Sequence, residues 1–173
     1  MDYDFLVDVE LDRVDWKNVK EASGTAEAIP TRFRELLAAT NEDEASRAYW
    51  GLENHAVLQG NLYEASIYLV RAICAALVDQ NRSQLVRSWL VELLFQICNG
   101  YYAETPGSSA APADIVERCR RAARGALWTL YGELAKQEIK IVEDLIRLVE
   151  DDPARLSLII TKIPNYKPPV WTT

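Results

Sequence analysis

The fold is decided by residues 41–99, which read NEDEASRAYWGLENHAVLQGNLYEASIYLVRAICAALVDQNRSQLVRSWLVELLFQICN. Asn41, Asn61 and Asn81 lie 20 residues apart, and each is followed three positions later by a glutamate or glutamine. An N-cap asparagine accepts a hydrogen bond from the first helical turn, and an acidic or amide residue at N3 reaches back to the cap. The stretch therefore predicts three helices of about 16 to 19 residues joined by short turns, with two helices in about 40 residues.

Hydrophobic periodicity extends this pattern to most of the chain. The segment 62–78 is apolar on most sides, so we expect it to be the central and most buried helix. Further helices are predicted on both sides of it, over about 30–39, 42–59, 82–99, 114–136, 137–150 and 153–162. Whether 113–150 is one bent helix or two stays open. The pattern predicts an all-α fold of about seven to nine helices in antiparallel pairs.

The two ends of the chain have different patterns. Apolar residues alternate with mostly acidic ones at Tyr3, Phe5, Val7, Val9 and Leu11. A period of two is typical of an extended segment, and prolines favour an extended tail. We therefore predict an acidic extended arm over 1–12, one helical domain over 13–163 and a Pro-rich tail over 164–173.

Length and composition indicate one domain with a continuous core. The chain has 173 residues, of which 49% are hydrophobic. It contains no apolar run of membrane-spanning length and no signal-peptide pattern, so we expect a cytoplasmic protein that does not bind membranes. Cys74, Cys98 and Cys119 fall within helical patterns and are expected to be buried free thiols.

Acidity is concentrated in the first third of the chain. Residues 1–60 contain 13 acidic and 6 basic residues, whereas residues 61–173 contain 13 of each. A negative field repels phosphate backbones and attracts basic surfaces. The charge distribution therefore disfavours nucleic acid and favours a basic protein partner.

One stretch carries a family resemblance. Residues 48–66, AYWGLENHAVLQGNLYEAS, resemble a block of small bacterial HEAT-repeat proteins, in which an Asn-His and Gln-Gly helix end precedes a Tyr-Glu-Ala helix start. The segments AEAIP at 26–30 and CRRAARG at 119–125 are similar to the same group, so the resemblance covers about residues 15–150. It implies a HEAT-like stack of antiparallel helix pairs, an α-solenoid. Some members of the group look like immunity proteins encoded beside polymorphic toxins, and no catalytic residue is transferred.

The sequence offers little for catalysis. His55 is the only histidine, and the seven glycines are scattered singly. One histidine cannot assemble an ordinary metal site, and neither a catalytic triad nor a phosphate loop is indicated. We therefore expect no enzyme activity, cofactor or metal. A basic cluster at Arg118, Arg120, Arg121 and Arg124 is the one feature that favours nucleic-acid binding, and such clusters more often pair with acids in the same chain.

The favoured hypothesis is a non-enzymatic protein-binding module, most concretely an immunity protein that neutralises a toxin by binding a basic toxin domain. The alternatives are a general HEAT-repeat scaffold and, third, a nucleic-acid-binding HEAT protein. Three groups of residues are predicted to contact the partner. They are the arm acids Asp4, Asp8, Glu10 and Asp12; a shared face with Arg47, Trp50, Glu53, Asn54, Arg87, Glu92 and Gln96; and Tyr101 with Tyr102 at the start of a long loop.

Overall fold

The computed structural model describes residues 3–103, 112–136 and 138–167, which are mostly helical. This confirms the predicted all-α class. The helices of these residues are α1 Asp4–Asp12, α2 Ile29–Ala38, α3 Glu42–Ala56, α4 Glu64–Ala76, α5 Gln84–Asn99, α6 Ile115–Ala123, α7 Leu127–Lys136, α8 Val142–Val149 and α9 Pro153–Lys162. The strands β1 Lys20–Glu21 and β2 Gly24–Thr25 pair as a small antiparallel hairpin.

Helix α4 lies at the centre of the core, as its sequence predicts. Eight of its 13 residues are buried, and it contacts α1, α3, α5 and α6. Helices also contact one another in two rows, α3 with α5 and α5 with α8 in one, and α1 with α4 and α4 with α6 in the other. The candidate site lies on the outer side of the row formed by α3, α5 and α8.

Only one of the three predicted asparagine caps is correct. The Asn41 side chain accepts a hydrogen bond from the Glu44 backbone N–H, at 3.0 Å. Helix α4 instead begins after Tyr63, whose N–H donates to Ser66 Oγ, and α5 is capped by Ser83. Asn61 accepts a hydrogen bond from the Ala103 N–H, and Asn81 lies in the turn before Ser83. The helices nevertheless begin at residues 42, 64 and 84, close to the predicted spacing.

The predicted extended arm over 1–12 is wrong, because residues Asp4–Asp12 form helix α1. Val7 and Leu11 are buried one helical turn apart, where α1 packs on α4. Positions 7 and 11 fit a period of two and a period of 3.6 equally well, so the alternation alone misassigned the segment. The burial of Val7 and Leu11 against α4 explains why the segment is helical.

The region 113–150 is neither one helix nor two. A 3₁₀ turn over Arg124–Ala126 separates α6 from α7, and α8 begins only at Val142. Most of the predicted long loop, residues 104–111, lies outside the described residues, as does the tail from 168 onward. Within the predicted tail, the Tyr166 hydroxyl donates to Glu143 of α8, so this residue is packed against the domain.

A carboxylate at the end of α8 joins three helices. Glu150 accepts hydrogen bonds from Arg155 of α9, at 2.9 and 2.6 Å, and from the Tyr131 hydroxyl of α7. The Arg155 hydrogen bond is the main reason that the pKa of Glu150 falls from 4.5 to about 2. The ionised carboxylate therefore stabilises the packing of α7, α8 and α9.

We predict that Leu11→Ala lowers the free energy of unfolding by about 2–5 kcal/mol, because it leaves a cavity between α1 and α4. Val9→Ala is the control, since Val9 is 58% exposed on the same helix whereas Leu11 is 1% exposed. We expect the control to change stability by no more than about 0.5 kcal/mol. Urea denaturation measures both, and equal small effects would restore the free-arm interpretation.

A second prediction concerns the pH dependence that Glu150 produces. Its pKa is lower in the folded protein, so its stabilising effect is complete above about pH 4.5 and is lost as the pH falls towards about 2. The free-energy difference between wild type and Glu150→Gln should therefore shrink as the pH is lowered across this window. In the Arg155→Met variant, adding Glu150→Gln should change the free energy of unfolding less over the same pH range, because Arg155 is the main cause of the lowered pKa of Glu150. A difference that stays constant down to about pH 3 would contradict the network.

Candidate partner-binding groove

A groove of about 1010 Å³ lies between α3, α5 and the connection from α7 to α8. Its walls combine aromatic, acidic and amide side chains. The lining residues are Glu42, Tyr49, Trp50 and Glu53 of α3; Gln84, Leu85, Ser88, Trp89, Glu92 and Gln96 of α5; and Glu138, Ile139, Lys140 and Ile141 of the connection. The groove is large enough for several side chains of a partner.

Three aromatic rings form a cluster at the α3–α5 contact. The Tyr49 ring centroid lies 4.6 Å from that of Trp89 and 5.2 Å from that of Trp50. Tyr49 is buried beneath the two indoles, Trp89 is partly exposed, and 52% of Trp50 is exposed. The cluster thus has a packed base and an open aromatic surface, the combination found at protein-binding sites.

The groove is strongly acidic. Glu42, Glu53, Glu92 and Glu138 line it, and Lys140 is the only basic residue among its described lining residues. Burial raises the pKa of Glu53, and burial followed by the charges of Glu92 and Glu53 raises the pKa of the Tyr49 phenol. The four carboxylates give the groove a negative potential that favours cations.

Four of the seven residues predicted for a shared face do meet in the groove: Trp50, Glu53, Glu92 and Gln96. Gln96 Nε2 donates to Glu92 Oε1 at 2.8 Å and fixes the orientation of that carboxylate. Arg47 and Asn54 are exposed on α3 but do not line the groove. Arg47 instead lines a smaller depression against α2.

Arg87 is not solvent-facing, so its predicted place on the shared face is wrong. Its side chain is 7% exposed and contacts Glu133 of α7, which is fully buried. Arg87 Nη2 also donates to Glu138 Oε2 at 2.9 Å. Arg87 therefore lies beneath the surface of the groove and holds Glu138 in the third wall, which is the connection from α7 to α8.

The predicted N-terminal acids are engaged within the chain. Arg34 of α2 pairs with Asp8 and Asp12, at 2.8 and 3.3 Å, and Arg82 pairs with Asp4 at 2.7 Å. Glu10 pairs with Arg13 of the same segment. These residues do not line the groove. They tie α1 to α2 and to the turn before α5 instead of forming a free acidic surface.

Tyr101 and Tyr102 also lie outside the groove lining. The Tyr101 hydroxyl donates to the Gln59 carbonyl at 3.1 Å, and its ring covers Gly60, where an added Cβ would lie 2.9 Å from the ring. Gly60 has a φ of +81°, so the turn before α4 requires glycine for both backbone and space. Tyr101 is therefore a packing residue of this turn, although half of it is exposed.

Sequence reasoning missed part of the groove. Tyr49 and Trp89 fit the apolar stripes of their helices, a pattern that predicts core positions, although they also form the groove's aromatic base. The segment 138–141 has no local signal, because its position depends on the packing of α8 against α5 and α7. Glu42 reads as a helix-start charge, which it also is.

Several of the other candidate features serve the fold. His55 Nδ1 lies 2.5 Å from Glu21 Oε2 and fastens the β-hairpin to the end of α3. Arg120 and Arg124 donate to the carbonyls of Cys98 and Val149, and Arg124 also pairs with Glu117. The described residues contain no group of three or more His, Cys, Asp or Glu suited to a metal ion. Cys98 and Cys119 are buried and Cys74 is partly buried, all as free thiols.

No family model, curated protein or solved structure matches the chain. Among the described residues, no helix is both long enough and apolar enough to cross a membrane.

We predict that Arg87→Met lowers the free energy of unfolding by about 3 kcal/mol, because buried Glu133 keeps only Lys136 as a cationic partner. Arg47→Met is the matched control, since Arg47 is exposed, and it should change stability by no more than about 0.5 kcal/mol. Chemical denaturation compares the two variants. Equal effects would mean that Arg87 does not hold the buried carboxylate.

Proposed function

We propose that the chain is a non-enzymatic, HEAT-like protein-binding module whose groove holds a basic segment of a protein partner. Most concretely, it is an immunity protein that binds a basic toxin domain and thereby blocks the toxin. The observation that carries the proposal is the meeting of four glutamates and an open aromatic cluster in one groove. The immunity role is proposed because residues 48–66 resemble small bacterial HEAT-repeat proteins, some of which look like immunity proteins.

The chemistry of the groove supports a cationic occupant. Carboxylates with one nearby lysine create a negative potential, and indole faces attract guanidinium and ammonium groups. The same potential repels nucleic-acid phosphates, which argues against the nucleic-acid alternative. On this proposal the chain inhibits its partner by binding alone, because a partner held in the groove has part of its basic surface covered.

The helix contacts support a HEAT-like stack. The consecutive pairs α3–α4, α4–α5 and α5–α6 are in contact, and the pairs α3–α5 and α4–α6 are in contact two positions apart. This is the nearest-neighbour pattern of stacked helix pairs. The free thiols of Cys74, Cys98 and Cys119 support a reducing compartment, and we propose the cytoplasm.

We predict that Glu53→Lys with Glu92→Lys weakens partner binding by at least about tenfold and flattens its salt dependence, because the groove loses its attraction for cations. The partner to test is the protein encoded by the adjacent reading frame. Association rates at several ionic strengths, together with inhibition of that protein's toxicity, measure the effect.

The control is Glu27→Lys with Glu35→Lys, which makes the same charge change at exposed positions outside the groove. It should leave affinity within about twofold of wild type. If the two double variants weaken binding equally, net charge and not the groove attracts the partner. If neither does, or if the adjacent gene product does not bind, the proposed function is wrong.

A further inference from the structure

One part of the groove has a more specific geometry than a general acidic surface. Glu53 lies three positions after Trp50 on α3, so both side chains lie on one helical face. Both line the groove, and Trp50 is half exposed. An aromatic plane and a carboxylate are thus available side by side.

The Glu53 carboxylate is partly desolvated and unpaired. Among the described residues, no hydrogen-bond donor or cation contacts its side chain. The other three groove acids differ: Glu138 is paired with Arg87, Glu92 accepts a hydrogen bond from Gln96, and Glu42 is exposed in the first turn of α3. Glu53 is therefore the carboxylate that gains most from an incoming cation.

Both indoles of the groove pack against the buried ring of Tyr49. Tyr49 packs against Trp50 with an interplanar angle of 81° and against Trp89 with an angle of 45°. A buried base restricts the motion of both indoles, so less conformational entropy is lost when a planar group stacks on them. Glu92 lies near the same phenol and adds negative charge.

We infer that Trp50, Trp89 and Glu53 form a subsite for one arginine side chain of the partner protein. Its guanidinium stacks on the exposed indole surface and donates two hydrogen bonds to Glu53. This inference rests on the proposed function, because it names the side chain that the groove takes from its protein partner.

Arginine suits this subsite better than lysine. The guanidinium group is planar, matches a carboxylate with two parallel hydrogen bonds and is more weakly hydrated than an ammonium group. A lysine would satisfy the charge of Glu53 but could neither stack on an indole nor bind both oxygens in a fixed geometry. The subsite is therefore expected to bind arginine more tightly than lysine, whereas the overall charge of the groove would not distinguish them.

The test uses the full chain and three acetylated, amidated tripeptides, Gly-Arg-Gly, Gly-Lys-Gly and Gly-citrulline-Gly. Citrulline keeps the shape of arginine and removes its charge. Titration is followed through the indole N–H signals in NMR spectra, with the Trp50 signal assigned from Trp50→Phe. We expect the arginine peptide to shift the Trp50 signal and to bind at least about fivefold more tightly than the lysine peptide. The citrulline peptide should cause no comparable shift.

Matched variants localise the effect. Glu53→Gln should weaken binding of the arginine peptide about tenfold, whereas Glu27→Gln, which removes the same charge outside the groove, should not. Trp50→Leu keeps an apolar side chain at an exposed position and should weaken arginine binding several-fold while lysine binding changes less. Thermal denaturation of each variant checks that it remains folded.

The outcomes separate the subsite from the proposed function. Equal binding of the arginine and lysine peptides, with both reduced by Glu53→Gln, would overturn the arginine subsite and leave the acidic groove standing. Equal losses in Glu53→Gln and Glu27→Gln would also overturn the subsite, since net charge would then explain the binding. If no peptide shifts the Trp50 signal, the subsite is wrong, and the proposed function is decided separately by the double variants and the adjacent gene product.

Discussion

The enclosure of α4 is the constraint on which the rest of the structure depends. Its apolar residues surround most of the helix, and each large side chain gains about 1.5–3 kcal/mol when it is removed from water. Four helices, α1, α3, α5 and α6, meet this requirement. Since α1 is one of them, the N-terminal acids cannot remain on a free arm. Since α3 and α5 contact both α4 and each other, they also form two adjoining walls of the groove.

The third wall depends on a buried ion pair. Arg87 reaches Glu133 in the core and Glu138 at the groove, while Lys136 pairs with the other oxygen of Glu133 at 2.9 Å. Desolvating these charges is costly, and leaving one of them unpaired is costlier still. The pairs therefore hold the end of α7 and the following connection against α5. An interaction inside the protein thus positions a carboxylate on its surface.

Local signals allowed the helices of residues 42–99 to be predicted, although two of their caps were not. Asn61 and Asn81 each lie three positions before the helix begins, and Ser66 and Ser83 make the capping contacts instead. The groove residues of α3 and α5 were partly predictable because both helices are amphipathic and follow one spacing. Arg87 was not, because its partner Glu133 is 46 residues away. A polar side chain faces inward when a distant partner meets it there, and no local pattern contains that information.

The distribution of charge on the folded protein differs from its distribution along the sequence. The first third holds the excess of acid, yet Asp4, Asp8 and Asp12 are paired with Arg82 and Arg34. The groove draws Glu42 and Glu53 from that third, and Glu92 and Glu138 from the remainder, where acidic and basic residues are equal in number. The field that a partner meets depends on where the fold places these charges and how it pairs them, not on the count along the sequence. On the proposed function, the groove therefore steers the partner, and α1 contributes by holding the domain together.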